Sequence, residues 1–387
     1  MPTASFSSLT LDRQLSAAVA RQDIPGVVAI AGDARRVIYE GAFGFAETGA
    51  RRPMTMDAIF RTASMTKAVT CVALMQLVEA GRIALDDPAE KYLPALANPM
   101  VFESFDSATG AGQLRPAASP ITVRQLLTHT SGLGYPFTSA ILANLKTWAV
   151  EEYPAGPLLF DPGTQWHYGA GVDMVGRIVE SLSGRSLDAY FQEQIFEPLG
   201  MVDTSYHVPL EKQARVVNLH HRAADGSLAE NPRKPPRNVT YCSGGTGLYS
   251  TADDYLRFLQ MLLNGGELGG TRILSRDTVA AMGRNQIGGL DARALKSALP
   301  WRSCDFTFID DGRNKWGLSG LITTAQIPGK RSAGSLSWGG INNTYYWLDP
   351  ARGVAGVILM QFLPFADPKA LGVYDTFERG VYQLIGP

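Results

Sequence analysis

The sequence predicts a mixed α/β (α+β) fold, an antiparallel sheet flanked by helices and interrupted by a mainly helical insert. Three observations lead there. Strand-like runs occur near the N-terminus, similar runs return after Trp316, and the stretch between them is rich in helix caps and helix stops. We therefore place residues 1–81 and 236–387 in one α/β sheet domain and residues 82–235 in a mainly helical domain inserted into it. With 387 residues, 45% of them hydrophobic, the chain can bury a large core.

The elements follow in order. Leu9 to Arg21 has helical periodicity and stops before Ile24-Pro25-Gly26. Val27 to Gly32 and Arg36 to Gly44 read as a hairpin turning at Asp33-Ala34. A helix starts near Ser64 and closes at Gly81, in the usual C-terminal glycine position. In the insert, Asp87-Pro88 resembles a helix start, and Thr122 with Gln125 forms a capping box. Gly171 to Ser183 is strongly periodic and ends at Gly184, and another helix covers Leu187 to Phe196. Thr251 with Asp254 opens a helix over Tyr255 to Leu263. Strands are then expected at Trp316–Thr323, Gly334–Gly340, Thr344–Leu348 and Val354–Phe362, before a closing helix from Pro368 to Leu384.

Charge excludes some functions. Lys plus Arg number 35 against 36 Asp plus Glu, with no run of one sign, so neither nucleic acid nor an anionic membrane is an expected partner. The apolar run Val354 to Met360 is too short to span a bilayer. Met1 to Thr10 lacks the basic and apolar regions of a secretory signal. Cys71, Cys242 and Cys304 are odd in number and far apart, which fits reduced thiols in a cytoplasmic protein.

Ser64-Met65-Thr66-Lys67 is the sharpest local signal. Residues three apart share a helix face, so the Lys67 amine can lie beside the Ser64 hydroxyl. That hydroxyl needs a base to become a nucleophile, and a helix N-terminus favours the developing oxyanion. The pattern alone is weak, but Met65 to Val78 is apolar almost all round, the mark of a buried helix. Burial disfavours a charged amine and so makes a lysine a usable base. A lysine snorkelling from a core helix is the competing view. Trp166-His167-Tyr168-Gly169-Ala170 and Ser337-Trp338-Gly339-Gly340-Ile341 are less specific. By themselves a packed tyrosine and a β-bulge account for them.

Their order gives them meaning. Ser64-Met65-Thr66-Lys67, Leu126-Leu127-Thr128-His129-Thr130-Ser131-Gly132-Leu133, Tyr168-Gly169-Ala170, the Ser243-to-Asp254 stretch and Trp338-Gly339-Gly340 together resemble the class C β-lactamase-like family. This family belongs to the serine β-lactamase and penicillin-binding-protein superfamily. Within it the chain resembles the family VIII carboxylesterases and is also similar to the fungal statin-precursor acyltransferase. The resemblance implies that fold, with Ser64 as the acylated nucleophile, Lys67 as its general base and Tyr168 as the proton shuttle. It implies an oxyanion hole at the backbone N–H groups of Ser64 and Ile341. Tyr135, Trp338, Gly339 and Gly340 complete the expected substrate-binding set.

Two departures point away from β-lactams. Ala170 stands where the family's tyrosine motif continues to Asn, and Trp338 stands where it has the lysine of Lys-Thr-Gly. Both changes remove groups that orient an amide-linked, carboxylate-bearing substrate, and a tryptophan suggests an apolar pocket. The expected activity is therefore hydrolysis of a small ester, with an alcohol or amine as alternative acyl acceptor. A transferase, a β-lactamase or D-amino-acid peptidase, and a non-catalytic binding module are the competing functions. No G-x-S-x-G elbow accompanies the five histidines, so a Ser-His-Asp triad is not expected. The absence of H-E-x-x-H, C-x-x-C and nucleotide-binding loops predicts no metal site and no cofactor. Nothing in the sequence sets an oligomeric state.

Overall fold

The computed structural model describes residues 6–106, 109–145, 156–232, 235–236, 239–307 and 313–386. The first five residues of the N-terminal stretch considered above lie outside them. Among the described residues the central sheet has eight strands: β1 (Gly26–Asp33), β2 (Val37–Glu47), β3 (Arg52–Pro53), β4 (Lys315–Trp316), β5 (Leu321–Ile322), β6 (Leu336–Gly340), β7 (Thr344–Asp349) and β8 (Val354–Leu359). Their order is β4-β5-β6-β7-β8-β1-β2-β3, and every pairing is antiparallel. The two chain ends meet where β8 pairs with β1, from Val28 opposite Leu359 to Asp33 opposite Val354. β7 and β8 are buried throughout, and β1 in all but its last residue, because both sheet faces are covered. Helices α1 (Ser8–Ala20), α2 (Thr66–Glu79), α3 (Gly171–Ser183), α4 (Ala252–Leu263) and α5 (Pro368–Ile385) supply the main cover. α4 packs on β1 and β8, while α1 and α5 pack on each other, against β2 and β8 respectively.

α2 explains its all-round apolar sequence. Only Gln76, Val78 and Glu79 escape burial, because the helix lies inside the molecule and packs along α3. α3 ends on Gly184 in the left-handed region, and Thr122 with Gln125 makes the expected reciprocal cap. Among the described residues no helix is long and apolar enough to cross a membrane.

Some boundaries differ from expectation. Trp316–Thr323 is not one strand: Gly317 N–H bonds Gly320 C=O, folding the run into the β4–β5 hairpin. β8 stops at Leu359, because Gln361 takes a left-handed φ of 61° and turns the chain away. Phe362–Leu363 then pairs in parallel with Leu219–Arg222 in a separate small sheet. Asp87-Pro88 leads only into the 3-10 turn Ala89–Lys91, and Leu187 to Phe196 changes from α to π at Gln192. Residues 82–235 also hold a hairpin, Met100–Asp106 with Ala111–Pro116. Val101 is its one buried residue among those described, so it left no apolar alternation to read.

α5 is pinned by a buried ion pair. Arg331, just before β6, makes paired hydrogen bonds of 2.7 Å to both Glu378 oxygens and a third of 2.7 Å to Tyr374 Oη. Burial pushes the Glu378 carboxyl up, but Arg331's charge and hydrogen bonds, with Lys330 behind them, hold it below its ordinary value. The pair's contribution is thus present above the unfolded carboxylate range and lost as pH falls through the lowered native value. Glu378→Gln strands the Arg331 charge and should cost about 3–5 kcal/mol at neutral pH, measured by urea unfolding.

Candidate active site

Ser64 sits on the 3-10 turn Ala63–Met65 that runs into α2. Ala63 before it is in the left-handed region at φ 49°, a costly conformation for a residue with a Cβ. The turn leaves Ser64 partly open to solvent while Ala63 and Met65 are buried. Neighbours hold it from several sides. Thr62 N–H bonds Leu248 C=O at 3.0 Å, and Tyr255 Oη donates to Met65 C=O at 2.8 Å. On β6, a Cβ at Gly340 would lie 2.1 Å from Thr62 O, so only glycine lets the strand approach this closely.

Lys67 is buried, and its Nζ has three oxygen neighbours: Ser64 Oγ at 3.4 Å, Tyr135 Oη at 3.1 Å and Gly245 O at 2.8 Å. Their chemistry fixes how a neutral amine would sit. The Gly245 carbonyl can only accept. Tyr135 Oη gives its proton to Asp173 Oδ2, so it too must accept from Lys67. Both amine hydrogens are then used, and the lone pair faces Ser64 Oγ–H, the one neighbour able to donate. Asp173 is buried on the first turn of α3, and its other oxygen accepts from Ser243 Oγ. A Cβ at Gly245 would meet Asp173 Oδ2 at 2.2 Å, which explains the glycine there. Burial, then the Asp173 charge, pushes the Tyr135 hydroxyl well above its ordinary value and keeps it a proton donor to Asp173.

Tyr168 is also buried, with Lys67 Nζ 5.0 Å from its ring centroid and Trp338 Nε1 donating to its hydroxyl at 3.3 Å. The His129 ring packs 4.6 Å from Tyr168, and His129 Nδ1 accepts the Gly169 N–H. Burial, helped by the Lys67 charge, pushes His129 well below its ordinary value, and burial lowers His167 to about 4. Both imidazoles are neutral near pH 7 and packed into this wall.

The structure thus brings Ser64, Lys67, Tyr135 and Tyr168 together. A cleft of about 160 Å³ opens at Ser64, walled by Tyr135, Phe137, Leu299, Arg302 and Ile341. Trp338 lies buried behind the cleft wall, against Tyr168, and meets the site through its hydrogen bond to the Tyr168 hydroxyl. Gly339 and Gly340 act through close backbone packing, Gly339 against Tyr345. Sequence reasoning missed Asp173, whose signal was an acidic residue on an otherwise apolar helix start shortly after Tyr168. It also missed Phe137, on the 3-10 turn Pro136–Thr138, and Leu299, in segments without periodicity that are tied together by Ala298 N–H to Phe137 C=O.

Residues 11–376 match the family model described as Beta-lactamase. The chain belongs to this family. It is 32% identical to monacolin J acid methylbutanoyltransferase of Aspergillus terreus, over 94% of this chain and 93% of that one. It is 31% identical to lovastatin esterase of Penicillium rubens, over 96% and 98%. A solved structure of a simvastatin synthase mutant from Aspergillus terreus superposes with a TM-score of 0.82 at 31% identity, covering 97% of this chain and 94% of that one. As a family member the chain has the fold of β-lactamases and penicillin-binding proteins, as its motifs implied. Its relatives include both acyltransferases and an esterase.

Proposed function

We propose that this chain is a serine carboxylesterase that hydrolyses short-chain esters through an acyl-enzyme on Ser64. The arrangement around Lys67 Nζ carries the proposal, because in the neutral amine its two acceptor oxygens would take both hydrogens and leave the lone pair to Ser64 Oγ–H. Lys67 takes the hydroxyl proton as Ser64 Oγ attacks the ester carbonyl. The oxyanion forms against the backbone N–H groups of Ser64 and Ile341, with the α2 N-terminus adding positive potential. Tyr168 passes a proton to the leaving alkoxide, and the same groups then activate water against the acyl-enzyme. Trp338 N–H stabilises negative charge on the Tyr168 oxygen during these transfers.

An alcohol fits the water's role in the second half-reaction. The transferase relatives support this branch and lovastatin esterase supports the hydrolytic one. β-Lactam turnover is disfavoured by Ala170 and by Trp338, which is committed to Tyr168 in place of a cationic anchor. Two missing polar anchors, one of them charged, correspond to about 3 kcal/mol, or about 100-fold. A p-nitrophenyl ester of C2 to C6 length should therefore exceed nitrocefin in kcat/KM by at least that factor. Added alcohol should divert part of the acyl group to a new ester. Nitrocefin as the better substrate would replace the esterase assignment with β-lactamase.

A further inference from the structure

We propose that Asp188, His207 and Cys242 form a zinc site outside the catalytic cleft. Their ligand atoms, one carboxylate oxygen, one imidazole nitrogen and the thiol sulfur, all lie within 4.8 Å of one another. His207 Nε2 is 3.5 Å from Asp188 Oδ2. Bonds of about 2.0–2.3 Å in a tetrahedron place ligand atoms about 3.3–3.7 Å apart. The carboxylate–imidazole pair already has that spacing, and the sulfur closes the rest by a side-chain adjustment of about 1 Å. A thiolate, an imidazole and a carboxylate suit Zn²⁺ far better than Mg²⁺ or Ca²⁺.

The surroundings complete the case. Asp188 and His207 line a cavity of about 350 Å³ that gives a metal an entry path and leaves room for water as fourth ligand. Cys242 is buried beside these two residues. When the Sγ–Zn bond forms, the thiol proton leaves to solvent and the imidazole binds through its neutral lone pair. One thiolate and one carboxylate then balance the two positive charges, so the partly buried site carries no net charge. The sequence predicted no metal because the ligands come from three separate segments, with no short motif.

The site would clamp a segment that matters. Cys242 precedes Ser243, whose hydroxyl bonds Asp173, and Gly245, whose carbonyl accepts Lys67 Nζ. Tyr206, next to His207, donates to Ser243 C=O. Zinc would join the segment beside Lys67 to the short helix Leu187–Phe191 and the loop at His207 without touching reacting atoms. This inference stands apart from the esterase reading.

The test uses the full chain, stripped with a chelator and dialysed. Zn²⁺ is titrated against a chromophoric chelator, and Co²⁺ serves as the spectroscopic probe. One zinc per chain is expected, with a rise in Tm, tetrahedral cobalt bands and a thiolate-to-cobalt charge-transfer band. Cys242→Ser should abolish that band, and Cys304→Ser should keep it. Asp188→Asn and His207→Ala should each weaken zinc by at least about 100-fold, since loss of even an outer partner costs 10–100-fold. Lack of stoichiometric binding, or binding indifferent to these three residues, overturns the site. Should a variant misfold, the wild-type cobalt spectrum decides, because a spectrum without the thiolate band also overturns it.

Discussion

Ser64→Ala should lower kcat for a p-nitrophenyl butyrate by about 10⁵–10⁶-fold, the scale at which a serine hydrolase loses its nucleophile. The substitution removes only a hydroxyl from a partly exposed position, so the turn, α2 and the cleft should survive intact. Near-wild-type urea unfolding with lost turnover would separate chemistry from folding. What remains is ester binding and whatever the oxyanion donors contribute. Tyr135, the other cleft hydroxyl on Lys67, cannot replace Ser64, because its proton is held by Asp173. A rate loss below about tenfold would mean that water, not Ser64, attacks the ester.

The second large effect is a coupled loss. Lys67→Ala and Tyr168→Phe should each reduce kcat/KM by about 10²–10⁴-fold, the usual range for removing a positioned acid or base. The double mutant should be little worse than the poorer single one. Lys67 Nζ sits 5.0 Å from the Tyr168 ring centroid, and in the proposed mechanism both groups handle the proton from Ser64 in succession. Groups in one proton network titrate as a unit, and removing one disables the other. Multiplied losses would show that they work on separate steps.

What was legible follows from range. Ser64 and Lys67 are three residues apart, and helix geometry alone puts them on one face. The burial of α2 was visible in its all-round apolar sequence, and β1 and β8 showed as apolar runs near opposite ends of the chain. Asp173 was hidden because its partners Tyr135 and Ser243 lie 38 and 70 residues away, and only the fold joins them. The Trp338 motif is readable in the sequence, but its partner is not. Its indole donates to the Tyr168 hydroxyl, a contact between residues 170 positions apart that only the fold creates. The Met100–Pro116 hairpin was missed because an almost wholly exposed ladder carries no hydrophobic period.

Covalent trapping addresses the nucleophile most directly. The protein is treated with a fluorophosphonate, or quenched during turnover of a slow ester, digested with trypsin and mapped by tandem mass spectrometry. Cleavage after Arg61 and Lys67 releases the peptide Thr62–Lys67, which holds Ser64 as its one serine. The account predicts a single adduct on that serine, lost in Ser64→Ala and strongly slowed in Lys67→Ala. An adduct on any other residue, or turnover of the ester with Ser64 never modified, would contradict it.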